Sequence, residues 1–169
     1  MPEAVKAYIR YVTAINRVVG RIVMYLVLAM MGVLLYSAIT KTFFIPPLWA
    51  IEMAQFLMVA YYLLGGAYSM QTNSHVRMDL IYGNWSPRTK AAVDVFTVLF
   101  LIAYLVMLLW GGFSSTRYAL KYGEESYSAW APAMAPIKII MVIGIVMMLL
   151  QAIAAFFTDL AAARGKPLS

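Results

Sequence analysis

The sequence predicts an all-α membrane protein. It has four transmembrane helices, an N-terminal amphipathic interfacial helix, and a short interfacial helix on the outer side between spans three and four. Three observations carry this reading. First, the 169 residues are 64% hydrophobic and 12% charged, against about half and about a quarter in soluble domains. A core of this size cannot hide so much apolar surface. Second, the apolar residues gather into four long runs separated by polar segments. Third, the basic residues fall mostly on one side of those runs, as the positive-inside rule requires. Residues 1–169 are read as one four-span domain.

Residues 1–21 form the leader. They are polar and charged throughout, and the apolar run that follows is too long for the hydrophobic region of a signal peptide. Val5, Tyr8, Ile9, Val12, Ile15 and Val19 recur at helical spacing, with Lys6, Arg10, Arg17 and Arg21 largely opposite. Such a helix suits the membrane interface, with its cations among lipid headgroups. Span one, 22–40, is free of charge and long enough to cross about 30 Å of hydrocarbon. Pro46 and Pro47 end it. Span two, 48–70, carries Glu52 near its start. Ser86 and Pro87 announce the next helix as N-cap and first helical residue, and span three covers 91–113.

Residues 114–130 mix Arg117, Lys121, Glu124 and Glu125 with Tyr118, Tyr122, Tyr127 and Trp130. Aromatic residues beside charges suit an interface, so a short surface helix and a turn at Gly123 are expected here. Span four is 134–157, with Lys138 near its start, and a basic tail covers 158–169. Nine Lys and Arg residues lie on the side of the termini and three on the other side, which places both termini in the cytoplasm. The net charge of +6 is therefore assigned to this bias and to lipid contact, not to nucleic acid.

Two spans carry a polar or small-residue stripe at alternating steps of three and four. In span two it is Glu52, Gln55, Val59, Tyr62, Gly66, Ser69 and Asn73; in span three it is Asp94, Thr97, Leu101, Tyr104, Leu108, Gly111 and Ser115. Such faces are expected to meet protein. Glu52 and Lys138 both enter from the outer side, at what the span limits suggest is a similar depth. A lone charge at mid-membrane costs about 2.5–3.5 kcal/mol, less near the ends. A Glu52–Lys138 pair would remove much of that cost; the alternative is that each side chain reaches its own interface. Glu52 as a proton carrier is a weaker reading, because such a group belongs nearer the midplane. Asp94, near the cytoplasmic end of span three, has Arg77, Arg88 and Lys90 as candidate partners and also favours the helix dipole.

Catalytic chemistry has little to stand on. His75 is the only histidine, so a haem held by two histidines is excluded within this chain. There is no cysteine, hence no thiolate metal site or disulfide, and no cluster with metal-ligand spacing. No nucleophile motif or phosphate loop is present. No cofactor is expected. The spans lack the interrupted helices and repeats that build a transport site, so the pattern implies a scaffold with a partner.

The residues that sharpen this reading are Glu52, Met53, Phe56, Leu57, Leu64, Gly65 and Ala67 in a run of the form ELxxFLxxxYxxLGxA. HVRMD (His75 to Asp79) and the proline-started basic segment WSPRTK follow. Together they resemble the small membrane subunit, DctQ-like, of tripartite ATP-independent periplasmic (TRAP) transporters, in length and four-span topology as well as motif. Gln71 and Asn73 stand where the family usually has basic residues before the histidine.

The resemblance implies a bacterial inner-membrane protein whose outer side is the periplasm. It implies two partners. One is a large multi-span permease subunit that carries the substrate and sodium sites and moves as an elevator. The other is a periplasmic substrate-binding protein that delivers an organic acid. The small subunit is then a static scaffold without a substrate site of its own. On the same basis His75, Arg77 and Asp79 are a cytoplasmic structural knot, and Glu52, Gln55, Tyr62, Gly66, Ser69, Asp94 and Lys138 are the partner interface. The chain alone leaves two other readings open: an anchor subunit of another membrane complex, such as a redox assembly, and a homo-oligomeric four-span exporter.

Overall fold

The computed structural model describes residues 3–45, 47–72 and 86–163. Among these, five helices follow in order: α1 Glu3–Met24, α2 Leu26–Phe43, α3 Ala50–Gln71, α4 Pro87–Tyr122 and α5 Ala135–Ala163. Four stretches are long and apolar enough to cross a membrane: Glu3–Phe43, Ala50–Gln71, Ala92–Tyr122 and Ala135–Ala162.

The helix ends follow local chemistry. No loop separates α1 from α2. Tyr25 keeps helical angles (φ −74°, ψ −14°), and the ladder tightens locally, with the Tyr25 N–H on the Ile22 carbonyl and the Leu28 N–H on the Tyr25 carbonyl. No proline stands between Glu3 and Phe43, so the helix runs through the boundary expected at residue 21. At the start of α4, Ser86 Oγ accepts the Thr89 N–H at 3.3 Å, with Pro87 in the first turn. At its end Gly123 takes the left-handed conformation (φ 61°, ψ 44°) that glycine adopts without steric penalty.

Two expectations are corrected here. The short interfacial helix over 114–130 is not a separate element. Its first nine residues continue α4, which is 36 residues long, about 54 Å. Nothing from Ser114 to Tyr122 breaks a helix; Gly123 is the first residue that does. The remainder is a tight connection, in which Glu125 and Ala133 form a single antiparallel bridge and Met134 N–H bonds the Glu124 carbonyl at 2.9 Å. The tail expected from 158 is helical as far as Ala163, because Leu160–Ala163 are strong helix formers.

The four membrane-length helices lie in the neighbour order α2, α3, α5, α4. α3 packs on α5 on one side and on α2 on the other, α4 packs chiefly on α5, and α1 leans on α3 and α5. α2 and α4 are the outer members and share no substantial contact. The result is an open row rather than a closed bundle. Burial is correspondingly sparse. Leu105, Ile145 and Ala152 form the core cluster between α4 and α5, and α2 has no buried residue. Elsewhere the buried hydrophobic positions are mostly alanines: Ala50, Ala54, Ala60, Ala67, Ala119, Ala154 and Ala161. In a membrane, helices associate by van der Waals fit, and small residues let their backbones approach.

Candidate scaffold interface

The closest approach is made by glycine. A Cβ built on Gly144 of α5 would lie 2.9 Å from the Leu63 carbonyl carbon, its oxygen and its Cβ, so α3 and α5 touch backbone to backbone there. Three residues on, a Cβ on Gly66 would meet Met148 Sδ at 2.9 Å. On the other side of α3 a Cβ on Gly20 of α1 would fall 2.5 Å from the Tyr68 ring. α3 is thus clamped from two directions. Gly66 was expected on a face for a partner protein; it serves packing within the chain.

The rest of the α3 stripe is divided. Gln55, Val59 and Tyr62 are exposed, as are their neighbours Ile51 and Met58. Ser69 is half-buried. Glu52 is also half-buried, and its Oε2 is buried without a hydrogen-bond partner among the described residues. The α4 stripe is out of phase with the packing. Leu105, Gly112, Thr116 and Ala119 are buried, with Leu101, Ile102 and Leu109 against the core cluster. Tyr104, Leu108 and Gly111 face outward, Leu101 and Ser115 lie at the edge, and Asp94 is half-buried.

The expected Glu52–Lys138 pair does not form. Lys138 Nζ pairs with Glu124 Oε2 across the connection between α4 and α5, and its carbonyl accepts the Thr116 hydroxyl at 3.2 Å. The Gly144–Leu63 contact explains why. Lys138 lies six residues before Gly144, whereas Glu52 lies eleven before Leu63. For helices running side by side that is an offset of about 7 Å, so the two charges are not at one depth.

Two polar contacts went unforeseen. Asn16, 2% exposed, donates from Nδ2 to Oε1 of Gln151, 7% exposed, at 2.8 Å. Tyr8 Oη donates to the Leu150 carbonyl at 3.0 Å. A signal for Asn16 was present, since it keeps step with Val5, Ile9 and Val12 on the apolar face of α1. Lys6, Arg10, Arg17 and Arg21 are exposed. His75, Arg77 and Asp79 lie outside the described residues.

Among the described residues no group of three or more His, Asp or Glu side chains could hold a metal ion. Among the described residues an open apolar trough of about 410 Å³ on α4 is lined by Phe113, Thr116, Arg117, Leu120 and Lys121. What the molecule offers is surface. The family described as tripartite ATP-independent periplasmic transporters, DctQ component, matches residues 30–162. No curated protein matches the chain.

Proposed function

Because the chain belongs to the DctQ-component family of TRAP transporters, and so is a multi-pass transporter component, we propose that it is the static scaffold of a large permease subunit. That subunit works in a sodium-coupled, binding-protein-dependent importer of an organic acid. The large subunit holds the substrate and ion sites, and a periplasmic binding protein delivers the substrate. This chain lies in the inner membrane with both termini cytoplasmic, in keeping with its charge bias.

The observation that carries the scaffold role is the open row of helices. Four spans in one layer bury little of their own surface, and the exposed stripe Ile51, Gln55, Met58, Val59 and Tyr62 on the central helix α3 is left for another chain. Glu52 stands at the end of that stripe, its buried Oε2 without a donor among the described residues. A hydrogen-bond donor from the large subunit would satisfy it, and a buried acceptor left unmet costs about 1–3 kcal/mol.

Reconstituted uptake tests the proposal. The large subunit and binding protein, with a sodium gradient and no ATP, are expected to import organic acid only when this chain is present. Equal uptake without it overturns the role. Locking α1 to α5 by a thiol cross-linker between Asn16→Cys and Gln151→Cys is expected to leave uptake intact in a static scaffold. Loss of uptake on locking, restored by cleaving the linker, would mean that this subunit itself moves.

A further inference from the structure

α1 has three faces, and packing within the chain uses one. Val12, Asn16, Gly20 and Val23 are buried. Tyr11, Ile15, Val18 and Ile22 form a second stripe at steps of four, three and four, and are 56–65% exposed. Lys6, Arg10, Arg17 and Arg21 form a third stripe, also exposed. At about 100° per residue the three stripes are spaced about 120° apart around the helix.

The contacts with α5 fix how this helix lies. Tyr8 and Asn16 are eight residues apart, about 12 Å along α1, yet they bond consecutive residues, Leu150 and Gln151. A helix running alongside α5 would spread these contacts over about two turns. Here they converge on one, so the segment from Tyr8 to Asn16 crosses α5 rather than running along it. The crossing is at Leu150 and Gln151, and Asp159 follows eight residues later on α5, about 12 Å. An amphipathic helix buries its apolar face about 5–10 Å below the headgroups, and arginine reaches upward from such a position.

The cations have few internal partners. Lys6 lies 4.0 Å from Glu3 on an exposed turn. The Arg10 guanidinium lies 5.8 Å from the centre of the Tyr11 ring. Among the described residues Arg10, Arg17 and Arg21 have no acidic partner. An exposed apolar stripe beside an exposed stripe of arginines without acidic partners among the described residues fits a single kind of surface. We propose that α1 is an anionic-phospholipid site. Tyr11, Ile15, Val18 and Ile22 sit among acyl chains, and Arg10, Arg17 and Arg21 hold headgroup phosphates. The Asn16–Gln151 bond fastens this lipid-bound helix to the transmembrane layer. The proposal stands independently of the transport role.

The test uses the full chain in nanodiscs of phosphatidylcholine containing spin-labelled phosphatidylglycerol or spin-labelled phosphatidylcholine as probe. The wild-type chain is expected to immobilise the anionic probe about three-fold or more over the neutral one at low salt, and less at high salt. Combined Arg10→Gln, Arg17→Gln and Arg21→Gln should bring the ratio to about one, while the matching triple Arg→Lys variant keeps most of the preference. No preference in the wild type overturns the site. So does a preference that survives the Gln triple, or one lost equally in the Lys and Gln triples.

Discussion

Asn16 and Gln151 join α1 to α5 through a buried amide hydrogen bond of 2.8 Å. Removing one partner leaves the other buried and unsatisfied; removing both need not. Asn16→Ala is therefore expected to destabilise the chain by about 1–2 kcal/mol. The double variant Asn16→Leu, Gln151→Leu should recover most of that loss. Unfolding of the detergent-solubilised chain by heat or denaturant measures both. If the double variant is as unstable as the sum of its single variants, the two amides do not act as a pair.

The second prediction rests on glycine. Gly144 meets the Leu63 backbone, whereas a Cβ on Gly111 would meet nothing within 4 Å. Gly144→Ala must push α3 and α5 apart, and overpacking of this kind costs about 1–3 kcal/mol. Gly111→Ala adds a better helix former in open space and should be neutral or stabilising by up to about 1 kcal/mol. The contrast between two Gly→Ala changes in one unfolding assay is the measurement. Equal effects would remove the case for close backbone contact at Gly144.

These two sites show what the sequence makes legible. The four apolar runs, the serine–proline start of α4 and the turn at Gly123 were readable, because length, capping and left-handed geometry are local properties. The packing phase was not. In α4 nearly every residue from Val95 to Phe113 is apolar. Lipid and a neighbouring helix are equally apolar, so hydrophobicity does not say which face packs. The stripe through Tyr104 and Gly111 looked as plausible as the one through Leu105 and Gly112 that is buried. Likewise, the charges and aromatic residues after Phe113 report where the interface lies, not where the helix stops.

Lys138 supplies a third prediction, because its partner choice depends on register. The Lys138 and Glu124 side chains are 15% and 31% exposed. Removing either partner should cost about 1–2 kcal/mol, between the values for exposed and fully buried pairs. Glu124→Lys alone is expected to destabilise, and Glu124→Lys with Lys138→Glu to restore much of the loss. Glu52→Lys with Lys138→Glu is expected not to restore it, because that pair is offset along the layer. Rescue by the Glu52 exchange and not by the Glu124 exchange would reverse the pairing.

The last prediction concerns the far end of α4. Continuity through Tyr122 places Thr116 and Ala119, 8% and 1% exposed, against the α4–α5 contact, while Arg117, Tyr118 and Leu120 face outward. The chain has no cysteine, so single cysteines from 114 to 122 can be spin-labelled without background. Accessibility along the scan should follow the helical repeat of about 3.6 residues, with minima at 116 and 119 and in phase with 105 and 112. Gly123→Val should raise mobility at the end of α4 and cost about 1 kcal/mol or more, because a β-branched side chain resists the left-handed conformation. A phase break near Ser114 would restore a separate surface helix.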